Sequence, residues 1–317
     1  MKHTREELAE LQALPLEEKV LRTQTRIIEW YLKHKGMVYV SFSGGKDSTV
    51  LLHIVRQIYP DVPAVYCDTG LEFPEVKEHV KRFENVVILR PKMSFREVLE
   101  KYGWCYPSKD VANKVYYAKR GAYWALNRLS GYNMDGSDSK FSERYKKWAF
   151  LVDAPFQISD KCCAIMKKQP SHEYQKKSKR LPYLGTMAVE SVMREKSWLK
   201  TGCNSFDGKN PKSAPMSFWT EQDVLQYIVD NNLKIPSVYG DLVKTSKGWI
   251  TTGEQRTGCM FCPVGCHLEK DSKWARIRKT HPKIYDYCME QLGLREFLEY
   301  IGAHLHRDFF EEQLTLF

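Results

Sequence analysis

The chain has 317 residues, 43% of them hydrophobic, with 49 Lys and Arg against 39 Asp and Glu, a formal charge of +10. That length suits one large domain or two modest ones, and the basic excess favours an acidic partner, a nucleotide or a nucleic acid. No run of 18 apolar residues is present, so no membrane-spanning helix is expected. The opening Met1-Lys2-His3-Thr4-Arg5-Glu6-Glu7 lacks an apolar secretory segment, so the expected location is cytoplasmic.

Residues 5 to 35 read as helix, with an apolar stripe through Leu8, Leu11, Leu14, Leu21, Ile27, Ile28 and Tyr31 broken near Pro15. Met37 to Phe42 is a short buried strand. It runs into Ser43-Gly44-Gly45-Lys46-Asp47-Ser48, and an apolar helix follows from Thr49 to about Tyr59. A strand, a glycine turn and a helix N-terminus aim backbone N–H groups at one spot, which suits phosphate. Gly44 and Gly45 permit close approach, Ser43 and Ser48 offer hydroxyls, and Lys46 offers a mobile charge. The spacing is neither Walker A nor GxGxxG.

Ala64 to Cys67 is a second strand, ending at Asp68-Thr69-Gly70. A helix over 74–83, a strand over 86–89 and a capping box at Ser94 and Glu97 come next. Alternating strands and helices predict an α/β fold, a twisted parallel sheet with helices on both faces. Residues 104–148 break the rhythm. They hold ten aromatics (Trp104, Tyr106, Tyr116, Tyr117, Tyr123, Trp124, Tyr132, Phe141, Tyr145, Trp148) and nine Lys or Arg against four Asp or Glu. This segment reads as an insertion or lid with a mobile tip at 133–139. Its aromatics either stack bases beside phosphate contacts or simply anchor helices.

Leu181 to Thr186 reads as a strand ending at Gly185, with Arg194 on the helix after it. Thr220 caps a helix over 221–230, with Asp223 at the capping-box position. Residues from about 281 to 313 are amphipathic helix. The expected division is N-terminal helices at 1–35, a nucleotide-binding domain at 36–265 carrying the insertion, and a helical region at 266–317.

The nine cysteines include the pair Cys162-Cys163 and the CxxC of Cys259 and Cys262, with Cys266 close behind. In a cytosolic chain such spacing argues for metal over disulfides. Four thiolates bind zinc or an iron–sulfur cluster. Adjacent cysteines reach one small ion only with strain, whereas the corners of a cubane are farther apart. Cys67 and Cys288 sit in apolar patterns that suit small buried side chains.

The Ser43–Ser48 loop resembles that of the PP-loop ATP pyrophosphatases, signature SGGxDS, and Asp68-Thr69-Gly70 resembles the second-strand motif of their PAPS reductase-like branch. The resemblance implies that the loop grips the phosphates of an adenine nucleotide (ATP, adenylyl sulfate or PAPS) and that Asp68, Thr69, Gly70 and Gly185 frame it. The cysteine pair followed by Lys167, Lys168 and Pro170, then Cys259 and Cys262, is similar to the [4Fe-4S] pattern of adenylyl-sulfate reductases. It implies Cys162, Cys163, Cys259 and Cys262 as ligands, with Cys266 and Cys203 in reserve. Gly185-Thr186, Pro215 to Thr220, Ile235-Pro236 and Gly258-Cys259 also match, so the resemblance covers residues 36 to 265.

Two features depart from the reductases. Their tail carries a catalytic cysteine, and this sequence has none after Cys288. Where they often place an arginine after the strand-end glycine, Met187 stands here, and Arg194 is the substitute charge. The resemblance therefore implies an ATP pyrophosphatase that adenylates a substrate for sulfur incorporation, with Lys46 and Asp47 catalytic. Asp47 holds Mg²⁺ or orients the loop, unless it merely caps the helix. Sulfonucleotide reduction and a non-catalytic nucleotide- or nucleic-acid-binding role are the alternatives. Nucleic acid and a sulfur-donor protein are the partners left open.

Overall fold

The computed structural model describes residues 2–140, 142–208, 210–269 and 272–310. The chain begins with α1 (Arg5–Ala13) and α2 (Leu16–Lys33), then β1 (Val38–Ser41), α3 (Lys46–Ile58), β2 (Ala64–Cys67), α4 (Pro74–Val80) and β3 (Val86–Leu89). Helices α5 (Phe95–Tyr102), α6 (Lys109–Ala118), α7 (Tyr123–Ser130), α8 (Ser142–Lys146) and the short α9 (Lys161–Cys163) follow. Next are α10 (Gln169–Ser178), β4 (Leu181–Leu184), α11 (Val192–Thr201), β5 (Asn204–Ser205), β6 (Lys212–Ser213), α12 (Glu221–Asp230), β7 (Leu242–Thr245) and β8 (Gly248–Thr251). Helices α13 (Lys273–Thr280), α14 (Pro282–Asp286) and α15 (Leu294–Leu305) complete the described chain.

These elements form two compact units. The first is Met1–Asp68, Glu72–Arg90 and Pro170–Gly258; the second is Thr69–Leu71, Pro91–Gln169 and Cys259–Phe317. The first unit is an α/β fold, a six-stranded sheet in the order β3-β2-β1-β4-β6-β5 with helices around it. Only β5 is antiparallel; Val40 on the inner strand β1 stands opposite Ala64 on one side and Tyr183 on the other. Strands covered on both faces read as continuous apolar runs, and β1 and β2 do so. Ile27 and Trp30 of α2, Leu51, Ile54 and Val55 of α3, and Trp219 pack into this core.

Charge is also buried in this unit. Lys19, only 2% exposed, places Nζ 2.7 Å from Oδ2 of Asp223 and donates to the carbonyl of Gln12. Asp223 at the same time closes the capping box of α12 with Thr220. The hairpin β7–β8 and the edge pair β5–β6 lie in segments where sequence patterning predicts no strand.

The second unit is helical. Trp104, Tyr106, Trp148, Trp274 and Phe297 are buried in it, with Tyr106 edge-on to both Trp148 and Phe297. The insertion folds as α6, α7 and α8. Its expected tip is a turn closed by a bridge from Tyr132 to Asp138 and by Asn133, whose amide donates to Ser137. Phe141 lies outside the described residues. The predicted helix over 281–313 is divided: a wide π turn at Tyr287–Gln291 and Gly293 separate α14 from α15, which ends at Leu305. Positions 311–313 of that expectation lie outside the described residues. No helix is long and apolar enough to cross a membrane among the described residues.

Candidate functional site

In the first unit, β1 delivers the chain to Ser43 and α3 begins at Lys46. Gly44 has φ +75, and a Cβ there would lie 2.7 Å from Val80 and 2.8 Å from Val76, so only glycine fits between this turn and α4. Gly45 is the N-cap of α3. The Ser48 hydroxyl donates to the carbonyl of Gly45 and accepts from the amide of Ser43, and the two serine hydroxyls are 3.0 Å apart. The loop is thus closed on itself by its own serines.

Lys46 is buried at the head of α3. Its Nζ lies 3.3 Å from Glu221, 3.5 Å from Asp47 and 3.4 Å from the carbonyl of Gln255. Burial opposes its charge, but Asp47, Tyr239 and Glu221 outweigh it and hold the ammonium above its ordinary range. The Lys46 amide donates to the Tyr239 hydroxyl at 3.1 Å, and that hydroxyl is 2.8 Å from Oγ1 of Thr257. Desolvation raises the pKa of Asp47 despite Lys46. Among the described residues its Oδ1 accepts no close hydrogen bond and has only the Lys46 ammonium, 3.5 Å away.

Gly185, just past β4, meets the start of α3 from the other side. A Cβ there would stand 3.2 Å from the carbonyl oxygen of Asp47. Arg194 pairs with Glu190. Burial and Arg256 push its pKa down while Asp47 pulls it up, which places all three charges in one neighbourhood. Asp68, past the end of β2, binds Lys77 at 2.7 Å. Thr69 and Gly70 belong to the second unit, where the Leu71 amide donates to Thr69 and the Leu71 carbonyl accepts from Met260.

Of the nucleotide residues expected from sequence, then, Ser43 to Ser48, Gly185 and Arg194 gather in the first unit, Asp68 is tied to α4 of that unit, and Thr69 and Gly70 do not belong to it. Tyr239, Thr257, Glu221, Gln255 and Arg256 join the group without having been singled out. The Ile235-Pro236 and Gly258 motifs flank four of them, Tyr239, Gln255, Arg256 and Thr257, and were the available signal.

All four proposed metal ligands lie in the second unit. Burial raises the pKa of Cys162, and Cys163, Cys259, Cys262 and Cys105 each raise it further, so five thiols share one electrostatic neighbourhood. Cys105 is raised by burial, with Cys262 and Cys163 adding to it. The Lys273 ammonium donates to the carbonyls of Cys259 and Cys262, tying the CxxC turn to α13. Cys266 is buried and pushed up to about 12 by burial, then Glu269. Cys203 lies in the first unit, 3.4 Å from the Ser217 hydroxyl. Among the described residues, no group of three or more His, Cys, Asp or Glu is arranged to hold a metal ion.

A model of the phosphoadenosine phosphosulfate reductase domain matches residues 37–120 and 123–271. The uncharacterised protein MJ0973 of Methanocaldococcus jannaschii is 26% identical over 283 residues, 87% of this chain and 53% of the relative. The uncharacterised MJ0066 of the same organism is 40% identical over 277 residues, 85% of this chain and 44% of the relative. The chain therefore spans about half the length of these two. An adenosine 5'-phosphosulfate reductase of Staphylococcus haemolyticus is 23% identical over 270 residues, 80% of this chain and 83% of the relative.

Proposed function

The chain belongs to the phosphoadenosine phosphosulfate reductase domain family, and from that premise we propose that its first unit binds ATP through the phosphates and adenylates an acceptor for sulfur incorporation. The carrying observation is the loop at the head of α3, where Gly44 at φ +75 and Gly45 precede a buried ammonium, that of Lys46. Backbone N–H groups, a helix N-terminus and one ammonium are what a polyphosphate needs. Asp47 and Glu221 flank that ammonium, and hard carboxylate oxygens beside substrate phosphates suit Mg²⁺. Two carboxylates beside the phosphate loop are what a metal–ATP complex would use. When bound, the ion neutralises phosphate charge.

In this reading an acceptor oxygen attacks the α-phosphorus, the bond to the bridging oxygen breaks, and pyrophosphate leaves. Lys46 and the loop amides stabilise the charge that develops on the leaving group. Asp47 orients the loop and the ion, and Arg194 with Arg256 supplies further positive charge. A sulfur nucleophile then displaces AMP from the acceptor. Nucleic acid is the acceptor that the basic chain favours, and a sulfur-donor protein would supply the nucleophile.

We read Cys162, Cys163, Cys259 and Cys262 as the ligands of a [4Fe-4S] cluster. Support comes from their shared neighbourhood in the second unit. Soft thiolates suit iron and sulfide or zinc, and the adjacency of Cys162 and Cys163, which would reach one small ion only with strain, favours the cluster. When bound, the cluster would carry sulfur or hold a substrate edge. The chain's own part is to hold the CxxC turn through Lys273 and to keep water away by burying Cys105 and Cys266.

A second reading, reduction of a sulfonucleotide, is favoured by the likeness to the staphylococcal adenosine 5'-phosphosulfate reductase across 83% of that enzyme. One panel separates the two. Anaerobically prepared protein is given ATP, adenylyl sulfate or PAPS, with a thiol donor. Pyrophosphate from ATP, lost in Lys46→Met and Asp47→Asn, supports adenylation. Sulfite from either sulfonucleotide, with no pyrophosphate from ATP, replaces it with the second reading.

A further inference from the structure

The aromatics of the insertion in the second unit divide into two sets. Trp104, Tyr106, Tyr145 and Trp148 are buried in the helical core. Tyr117, Tyr123 and Trp124 are exposed, Trp124 by 41%. The Tyr117 ring lies 5.3 Å from that of Tyr116 and 5.4 Å from that of Trp124, so three rings run together across α6 and α7. Two cations adjoin them. The Arg120 guanidinium is 3.6 Å from the centre of the Tyr116 ring, and the Lys161 ammonium is 5.3 Å from Tyr116 and 6.0 Å from Tyr117. Exposed apolar side chains that adjoin in a patch mark a binding surface, as scattered ones do not.

Charge follows the same surface. Lys109, Asn113, Tyr116 and Arg120 stand at i, i+4, i+7 and i+11, a stripe about 16 Å long on one face of α6 that runs just past its end. Lys109 and Arg120 are exposed and form no ion pair with the described residues. Arg120 donates to the Tyr116 carbonyl, which leaves most of its donors open. Asp110 is already taken by Lys114 and the Tyr145 hydroxyl, and Asp160 stands 4.0 Å from Lys161. Cations interleaved with accessible rings suit a chain of phosphates that carries flat bases. An acidic peptide would answer the charge but has no bases to lay on the rings.

This surface ends beside the cysteines. Lys161 directly precedes Cys162, and the Lys109 charge acts on Cys105, opposing the rise that burial first imposes. We propose that this face of α6 and α7 holds single-stranded nucleic acid. Bases stack on Tyr117, Trp124 and the guanidinium of Arg120, while Lys109 and Lys161 neutralise phosphates. A duplex keeps its bases stacked inside and can meet only the charges. The strand is thereby led past the thiols of the second unit. Its role as acceptor rests on the adenylation reading; its binding does not.

The test is fluorescence anisotropy on the anaerobically prepared full chain. The probes are a labelled oligothymidylate and its duplex with oligodeoxyadenylate, with polyglutamate of equal charge as competitor. The single strand binds about ten-fold tighter than the duplex, and polyglutamate does not displace it. Trp124→Ala weakens the single strand about ten-fold, the scale of one stacked base. Lys109→Gln lowers the slope of log affinity against log salt by about 0.7, one phosphate contact. Both replacements are at exposed helix positions, and melting curves confirm that the variants fold. No binding, equal affinity for the duplex, full binding by Trp124→Ala or an unchanged slope in Lys109→Gln overturns the proposal. Displacement by polyglutamate overturns it in favour of an acidic protein partner. ATP is absent from the assay, so the result is separate from that of the turnover panel.

Discussion

The backbone amide of Lys46 donates to the hydroxyl of Tyr239, a residue 193 positions later in the chain, at 3.1 Å. This amide heads α3 and is one that an incoming phosphate would use, so the tyrosine hydroxyl and the phosphate compete for it. Tyr239→Phe leaves the amide unpaired in the free protein, a cost of about 1 kcal/mol that binding then relieves. ATP affinity should rise about five-fold, and the melting temperature of the free protein should fall. Calorimetry and a thermal melt read the two effects; weaker nucleotide binding would show instead that the hydroxyl positions the loop.

Gly44 permits a second test. Alanine there adds both a disfavoured φ and a Cβ 2.7 Å from Val80. Gly44→Ala should destabilise the first unit by about 1–3 kcal/mol in urea unfolding and abolish ATP binding in the fraction that still folds.

The buried pair Lys19–Asp223 is 2.7 Å long, and Asp223 also caps α12. Asp223→Ala strands an ammonium in the core and removes a cap, so the expected loss is about 3–5 kcal/mol. Lys19→Met leaves the carboxylate with its Thr220 partners and should cost clearly less. Equal losses in the two variants would assign the whole effect to the ion pair.

The histidines set an acid limit. Burial first holds His79 at about 4 and His267 at about 4, against 6.5 for a free ring. An unfolded chain takes up protons on both rings as the pH drops below about 6.5, while the folded chain refuses them until about 4. Stability therefore falls with pH across that window and levels off beneath it. His79→Gln, whose amide can still pair with the Thr49 hydroxyl, should remove about one proton from the slope between those limits.

For the cysteines, anaerobically purified protein should show the broad sulfur-to-iron charge-transfer absorbance. Cys262→Ser should lose it, and Cys105→Ser should keep it, since Cys105 is read as a wall and not a ligand. Loss in both would make Cys105 part of the ligand set; a colourless, iron-free wild type would remove the cluster from the account.

The loop from Ser43 to Ser48 was legible because everything that makes it is local: a strand, two glycines and a helix start within a dozen positions. The cysteine pair and the CxxC were legible through spacing. Tyr239, Thr257 and Glu221 were not, because they approach Lys46 from about 175 to 210 positions away, a tertiary fact that no periodicity encodes. Cys105 was missed because a lone cysteine has no spacing to read. Asp68, Thr69 and Gly70 form one motif in sequence, yet they divide between two compact units. A three-residue pattern carries no information about such a boundary.

Gly185 makes one methyl group matter. With 3.2 Å between its would-be Cβ and the Asp47 carbonyl, alanine there would lever the first turn of α3 away from β4 while sparing the sheet itself. A descendant of this chain could thus lose its grip on phosphate through a single silent-looking replacement, far in sequence from any glycine-rich signature, and still fold. Anyone sorting working members of the family from relics should inspect that position as closely as the loop.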